Sequence, residues 1–381
     1  MFNKKPRLLV VGMIDSPHLV NWLDAVSRLN RFSHIYVFPT TSPKIGGLIR
    51  NVNGRTTISV LGVFKNYLAT AYIYSFLDKT FGTRWRSRLL QSAVKVIRPK
   101  VLHVQELQHG GYLLSDEVLS NQKMVLACST WGSDLIFYGK LQTHKKRLEK
   151  LLKRTDFLLT EREADLKIAK ELGFHGKSIS PAYATVGSDV LEKHKTLPSL
   201  RTKIVIKGYQ DNHGRALNAL QALTLIPEIL SEFAVVVISS SESVRVYAEF
   251  LRSTHNMNIV CAPKMSHSEI MDLFAESRVY IGLGISDGIS NTMIESMQNG
   301  SFPIQSVNSC APEFIHHGIS GFIVDPWDIH KVATLIEISL RDDHLVDTAV
   351  ELNLATLREK YSREKGVDIL DSLYKGILND R

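Results

Sequence analysis

Short apolar runs alternate with amphipathic helical stretches twice over along this chain, and that alternation admits few folds. Residues 7–11 (RLLVV) form a brief β-rich run closed by Gly12, and Leu19, Trp22, Leu23, Val26 and Leu29 follow at helical spacing. Runs at 34–38 (HIYVF), 100–104 (KVLHV), 123–128 (KMVLAC) and 156–160 (DFLLT) repeat the type. Strands apolar on both faces, interleaved with amphipathic helices, predict a parallel sheet covered on both sides.

A polar stretch over 185–203, with Gly187 and Pro198, interrupts the pattern. The alternation then restarts at 204–206, 234–238, 258–260, 279–283, 303–305 and 322–324, and helical periodicity closes the chain over 352–378. The expected organisation is therefore an α/β protein of two Rossmann-like doubly wound domains with an interdomain cleft. The first domain spans 1–190, a linker 191–202 and the second domain 203–350, and a terminal helix over 351–381 packs back on the first. In such folds a ligand binds beyond the carboxyl ends of the strands.

The net charge of +8 is unevenly held. Residues 1–190 carry +14 and residues 191–381 carry −6. A basic half suits an anionic partner: a phospholipid surface, a nucleic acid or a phosphorylated substrate. No stretch reaches the roughly 20 apolar residues of a membrane span. The first apolar run meets Asp15 too early for a signal peptide and is read as a buried strand. Cys128, Cys261 and Cys310 lie far apart without metal-ligand spacing, which suits buried thiols in a reducing cytoplasm. The chain has no Asp-x-Asp pair with which to hold a divalent ion on a diphosphate, so no metal and no cofactor are expected.

The most informative stretch is 280–300, YIGLGISDGISNTMIESMQNG. A strand ends at Leu283, a loop bearing Gly288 follows, and a helix is expected from about Thr292 to Asn299, capped by Ser290 or Asn291 and ended by Gly300. The amides of Ser290, Asn291 and Thr292 at such a helix start suit a diphosphate. Glu295, one turn in, is placed to accept both hydroxyls of a ribose, and Asp287 to hold sugar hydroxyls. As architecture alone, the stretch is a loop with capping residues and a solvent-facing Glu.

This stretch resembles the signature of glycosyltransferase family 4, the retaining, metal-independent enzymes of GT-B fold. The likeness runs from Asp287 through Glu295 to Gly300-Ser301-Phe302-Pro303-Ile304, Pro312-Glu313-Phe314-Ile315, Gly318-Ile319-Ser320-Gly321 and Asp325-Pro326. Asp287 stands where Glu is commoner in the family. Upstream, 204–220 (IVIKGYQDNHGRALNAL) is similar to the family's diphosphate-gripping segment, which implies that role for Lys207 and Arg215. The loop 263–265 before a helix near Ser266 resembles the family's base-edging loop, with Met265 as its contact.

In the amino half, 11–22 (VGMIDSPHLVNW) resembles the family's first-strand loop, with Ser16 and His18 on the acceptor side. The segment 127–134 (ACSTWGSD) resembles the place where many members carry a catalytic-site His. Here Trp131 occupies that place, and a tryptophan accepts no proton. Trp131 is then an acceptor-side wall and Asp134 a catalytic carboxylate orienting the incoming hydroxyl, beside Asp287. His103 and His109 are read as core or capping histidines. The segment 63–100 mixes Lys65, Lys79, Arg84, Arg86, Arg88, Lys95, Arg98 and Lys100 with Tyr67, Tyr72, Tyr74, Phe76, Phe81 and Trp85. An anionic membrane interface and a core helix with a solvated basic face both fit it, and no nucleic-acid module is recognisable.

The resemblance implies a cytoplasmic, membrane-peripheral hexosyltransferase moving sugar from a nucleoside-diphosphate sugar, its donor substrate, to a lipid-linked or polysaccharide acceptor. A non-catalytic nucleotide- or membrane-binding subunit and a GT-B nucleotide-sugar epimerase are the alternatives.

Overall fold

The apolar runs become parallel strands. The computed structural model describes residues 5–41, 52, 54–62, 67–183, 185–189 and 196–379, and no side chain of 67–68. The chain divides into two units, Met1–Ser188 with Arg363–Arg381, and Asp189–Ser362. Lys65, the Tyr67 side chain and residues 191–195 of the expected linker lie outside what is described.

The first unit runs β1 (Arg7–Gly12), α1 (Pro17–Arg28), β2 (His34–Pro39), β3 (Ile58–Val60), α2 (Tyr67–Phe81), α3 (Arg84–Ile97), β4 (Val101–Gln105), α4 (Asp116–Ser120), β5 (Val125–Ser129), α5 (Gln142–Arg154), β6 (Phe157–Leu159), α6 (Glu163–Glu171) and β7 (Lys177–Ile179). All seven strands are parallel, in the order β3-β2-β1-β4-β5-β6-β7. β4 and β5 are buried along their whole length, which is why they read as unbroken apolar runs. On α1 the expected Leu19, Trp22, Leu23 and Val26 form the buried stripe, and Pro17 begins the helix after the N-cap Ser16. β3 and β7, three residues each at the sheet's two edges, have no expected counterpart in the sequence. Half-exposed strands this short carry too few apolar residues to show a period.

The second unit runs β8 (Lys203–Lys207), α7 (Ala216–Leu223), α8 (Pro227–Leu230), β9 (Ala234–Ile238), α9 (Glu242–His255), β10 (Ile259–Cys261), α10 (His267–Ala275), β11 (Ser277–Gly282), α11 (Asn291–Gln298), β12 (Phe302–Ser306), α12 (Ala311–Phe314), β13 (Phe322–Val324) and α13 (Ile329–Arg341). Its parallel order is β10-β9-β8-β11-β12-β13. The strand order reverses between β8 and β11 here, and between β1 and β4 in the first unit. In doubly wound sheets such a reversal opens a crevice at the strands' carboxyl ends.

The chain ends in two helices, α14 (Asp343–Lys360) and α15 (Arg363–Asn379), not in the single terminal helix expected from 351. α14 belongs to the second unit, where it buries Val346, Ala349, Val350, Leu354 and Leu357. α15 belongs to the first. Its Leu370, Leu373, Tyr374 and Ile377 join the core under β1 and β4, and Arg31 Nε bonds Asp371 Oδ1 at 2.7 Å. Apolar spacing continues across the break at Tyr361–Ser362, so periodicity alone runs the two helices together.

Candidate functional site

The carboxyl ends of β8 and β11 converge in the second unit. β8 ends on Lys207, and its Nζ lies 3.0 Å from Asp287 Oδ2 in the loop after β11. Burial alone lowers the Lys207 pKa, but Asp287 and Tyr280 outweigh it, and the ammonium is held above its ordinary value. The loop between them is tightly laid. A Cβ on Gly214 would come 2.2 Å from Tyr209 O, and one on Gly208 2.7 Å from Ile238 O, so only glycine lets the backbone pass. Asp211 Oδ1 accepts the amides of His213 and Gly214 at 2.8 and 2.7 Å. Arg215 N donates to Leu283 O at 3.0 Å, and Ile285 N donates to His213 O at 2.8 Å, which ties this loop to the one after β11.

The loop after β11 leads into α11. Ser290 is its N-cap but makes no side-chain cap bond. Its Oγ lies 3.2 Å from Thr292 Oγ1, which pairs with Tyr280 OH at 2.8 Å. Gly288 O accepts Cys310 N and Asp287 N donates to Asn308 O, both at 3.0 Å, fixing the loop's path. Asn291 Oδ1 accepts Tyr361 OH at 3.2 Å. Glu295, one turn into α11, is half-buried, with Oε1 2.9 Å from His267 Nε2. Burial raises the Glu295 pKa, with His267 and Lys207 opposing. Met265 precedes Ser266, the N-cap of α10, whose capping box with Glu269 fixes where that helix begins. Arg215 donates to the carbonyls of Asp211 and Gly214 at 3.1 and 2.6 Å, and its guanidinium carbon stands 4.7 Å over the Trp327 ring.

The first unit forms its own cluster where β1, β4 and β5 end. Ser16 Oγ accepts His18 N at 3.3 Å, starting α1. His18 meets Trp131 edge to face, with ring centroids 5.3 Å apart. Trp131 Nε1 donates to Gln105 Oε1 at 3.4 Å. Asp134, expected as a catalytic carboxylate, lies in the loop after β5. It is 2% exposed, and its Oδ2 accepts two backbone amides, Trp131 N at 2.7 Å and Leu107 N at 3.1 Å. Burial and the neighbouring Glu106 carboxylate hold its pKa well above the usual carboxylate range. Asp134 thus joins the loops after β4 and β5 and sets the position of Trp131.

His103 is a core residue. Its Nδ1 lies 2.7 Å from Tyr374 OH and its Nε2 2.8 Å from Ser129 Oγ, and burial lowers its pKa to about 3. His109 pairs with Glu106, which sits at φ +75° at the end of β4. A positive φ in a non-glycine residue there is a strained conformation. Gln105 and Glu106 escaped the reading of the sequence, as did His267, Tyr209 and Trp327. For the first two the signal was position alone, directly after a strand at the sheet's switch point.

Residues 193–355 match the family model of glycosyl transferases group 1. A comparison with curated protein sequences finds no match. Solved structures share the architecture across almost the whole chain. Sucrose-phosphate synthase from Thermosynechococcus elongatus is 12% identical with a TM-score of 0.76, covering 99% of this chain and 100% of that one. HepE from Anabaena, solved with UDP and glucose, is 12% identical with a TM-score of 0.68, covering 97% and 100%. An α,α-trehalose-phosphate synthase (UDP-forming) from Burkholderia vietnamiensis is 15% identical with a TM-score of 0.66, covering 97% and 100%. The fold is of the GT-B type, two Rossmann-like domains, as the alternation of strands and helices predicts.

Among the described residues no group of three or more His, Cys, Asp or Glu is placed to hold a metal ion. Among them, too, no helix is long and apolar enough to cross a membrane.

Proposed function

We propose that the protein transfers a hexose, with retention, from a nucleoside-diphosphate sugar to a glycan or lipid-linked acceptor, without a metal ion. The observation that carries this is the juxtaposition of the Lys207–Asp287 pair with the start of α11, one turn ahead of the half-buried Glu295. A diphosphate at that helix start meets amides that have no partner within the helix, and the positive end of the helix dipole. Lys207 and Arg215 neutralise the charge that gathers on the departing diphosphate. Asp287 holds sugar hydroxyls, Glu295 accepts from the ribose, and Met265 edges the base. In the first unit Ser16, His18 and Trp131 line the acceptor side. The acceptor hydroxyl gives its proton to the departing phosphate oxygen while its own oxygen bonds the anomeric carbon.

The protein works, on this reading, at the cytoplasmic face of an anionic membrane. The support is the hairpin of α2 and α3, where Tyr72 is 77%, Phe76 66% and Phe81 55% exposed beside exposed Lys79, Arg84 and Arg88. Melting-temperature shifts with UDP, GDP, ADP and UDP-glucose, followed by transfer from labelled UDP-glucose to lipid-linked and free glycans, test the proposal. A chain that is stabilised by nucleotide but glycosylates nothing is a binding subunit, the alternative that Trp131 favours. Conversion of the donor without an acceptor marks an epimerase.

A further inference from the structure

The amino ends of the central strands of the first sheet gather positive charge. Basic residues precede three adjacent strands: Lys5 and Arg7 open β1, Arg98 and Lys100 precede β4, and Lys123 precedes β5. Because β1, β4 and β5 are parallel neighbours in register, with Leu8 beside Val101 and Val101 beside Val125, these residues arrive at one place. They line a cavity of about 810 Å³ together with Lys95, Ser33, Gln91 and Asn121, over the buried Val94, Pro99, Val118 and Met124. Six cations face it against one carboxylate, Glu117.

Local structure uses two of the six. Arg7 Nη1 donates to Ile97 O at 2.8 Å at the end of α3, and Lys95 Nζ pairs with Glu117 Oε1 at 2.8 Å, which Gln91 also engages. The carboxyl end of α3 adds roughly half a negative charge. Among the described residues Lys5, Arg98, Lys100 and Lys123 have no carboxylate partner. Four such cations around one cavity repel one another, and an anion held among them offsets that cost.

We propose that this cavity binds a ligand carrying adjacent phosphate groups, at a site separate from the carboxyl ends of the same strands. The floor of Val94, Pro99, Val118 and Met124 lets it take an apolar neighbour of those phosphates. A soluble diphosphate and the neighbouring headgroup phosphates of an anionic lipid surface share this chemistry.

Calorimetric titration of the full chain with pyrophosphate tests the site, alongside sedimentation with phosphatidylglycerol and with phosphatidylcholine vesicles. The variant combines Arg98→Asn, Lys100→Gln and Lys123→Gln. Arg98 has φ +49°, a conformation that asparagine tolerates, so the variant removes charge without adding strain. Circular dichroism verifies its fold. A control combines Lys145→Gln, Lys146→Gln and Lys167→Gln, three exposed lysines outside the cavity. The cavity variant should bind pyrophosphate, or phosphatidylglycerol, about tenfold more weakly or worse, while the control keeps wild-type binding. Loss in the first arm identifies a soluble ligand and loss in the second a headgroup. Lys207→Ala separates this site from the donor site, since pyrophosphate bound at the cavity must survive that change. Equal weakening by variant and control, or no weakening in either arm, overturns the proposal.

Discussion

Lys207 Nζ and Asp287 Oδ2 stand 3.0 Å apart across the switch point between β8 and β11, eighty positions apart in sequence. On the proposed function, Lys207 is the cation that meets the diphosphate and Asp287 the carboxylate that meets the sugar. Lys207→Ala should weaken binding of UDP or UDP-glucose about tenfold or more, since hydrogen bonds to charged groups contribute about 1.5–3 kcal/mol. On the proposed reading the protein's own cations carry the leaving-group charge, and transfer should then survive EDTA. Strict dependence on added manganese or magnesium would show that the diphosphate is held in another way.

Glu295 gives a pH test. Its pKa is raised by burial, so it takes up a proton at a higher pH than an ordinary Glu. Only the carboxylate accepts from both ribose hydroxyls. Nucleotide affinity should therefore be level at neutral pH and fall as the pH drops through the raised pKa. Glu295→Gln should flatten that profile, and Glu295→Ala should cost about tenfold in affinity at neutral pH. A Glu295→Ala protein that stays folded and keeps wild-type affinity would remove the ribose from this residue.

Much of this was legible in the sequence, for physical reasons. Strands buried on both faces announce themselves as apolar runs, so β1, β4, β5, β8 and β11 stand out. Helix punctuation is equally local: Ser290 and Gly300 bracket α11, with Gly300 at φ +79°. What could not be read depends on distant partners. Nothing near Asp134 in sequence says that its carboxylate caps Leu107 N, and nothing near Arg86 says that Asp78 neutralises it in the core. The break between α14 and α15 was hidden for the same reason, since both flanks keep helical spacing while their apolar faces serve different cores.

Arg86 stands apart from the other basic residues of the α2–α3 hairpin. It is 3% exposed, bonded to Asp78 at 2.6 Å and placed over the Tyr74 and Trp85 rings, so it is a core residue of the α2–α3 hairpin, not part of a basic face. Replacing it should destabilise the protein, because a part-buried Asp78 loses its partner. The exposed set is Lys79, Arg84 and Arg88. Changing these three to Ser should reduce sedimentation with phosphatidylglycerol vesicles and leave the melting temperature nearly unchanged. Wild-type binding should weaken with added salt. Equal sedimentation of wild type and triple variant would take the membrane away from this hairpin.

His103 should make the stability of the protein depend on pH. Its folded pKa is about 3 against an ordinary 6.5, so unfolding below 6.5 takes up a proton that the folded state refuses. Its contribution is complete above about 6.5 and is lost as the pH falls from there toward 3, at up to about 1.4 kcal/mol per pH unit. His103→Gln should lower stability at neutral pH, by breaking the link to Tyr374 and Ser129, and should flatten the pH dependence between 5 and 6.5. Urea titrations of wild type and variant at several pH values measure both. A variant with the wild-type slope would show that other groups set it.

Trp131 and Asp134 separate positioning from chemistry. Asp134 is 2% exposed and spends Oδ2 on two backbone amides, so it acts through the tryptophan that it holds. An asparagine whose amide oxygen takes the place of Oδ2 keeps both bonds, and Asp134→Asn should leave kcat nearly unchanged with at most a modest rise in the acceptor KM. Asp134→Ala strands the Leu107 and Trp131 amides, the first of them buried at a cost of about 1–3 kcal/mol, and should lower the melting temperature as well as acceptor binding. Trp131→Phe keeps a ring against His18 and should retain most transfer, while Trp131→Ala should raise the acceptor KM at least tenfold and leave nucleotide affinity unchanged. The decisive measurement is the split between kcat and KM for each variant. If Asp134→Asn abolishes kcat while the acceptor KM and the melting temperature stay at their wild-type values, the carboxylate takes part in the transfer itself and the positioning role fails.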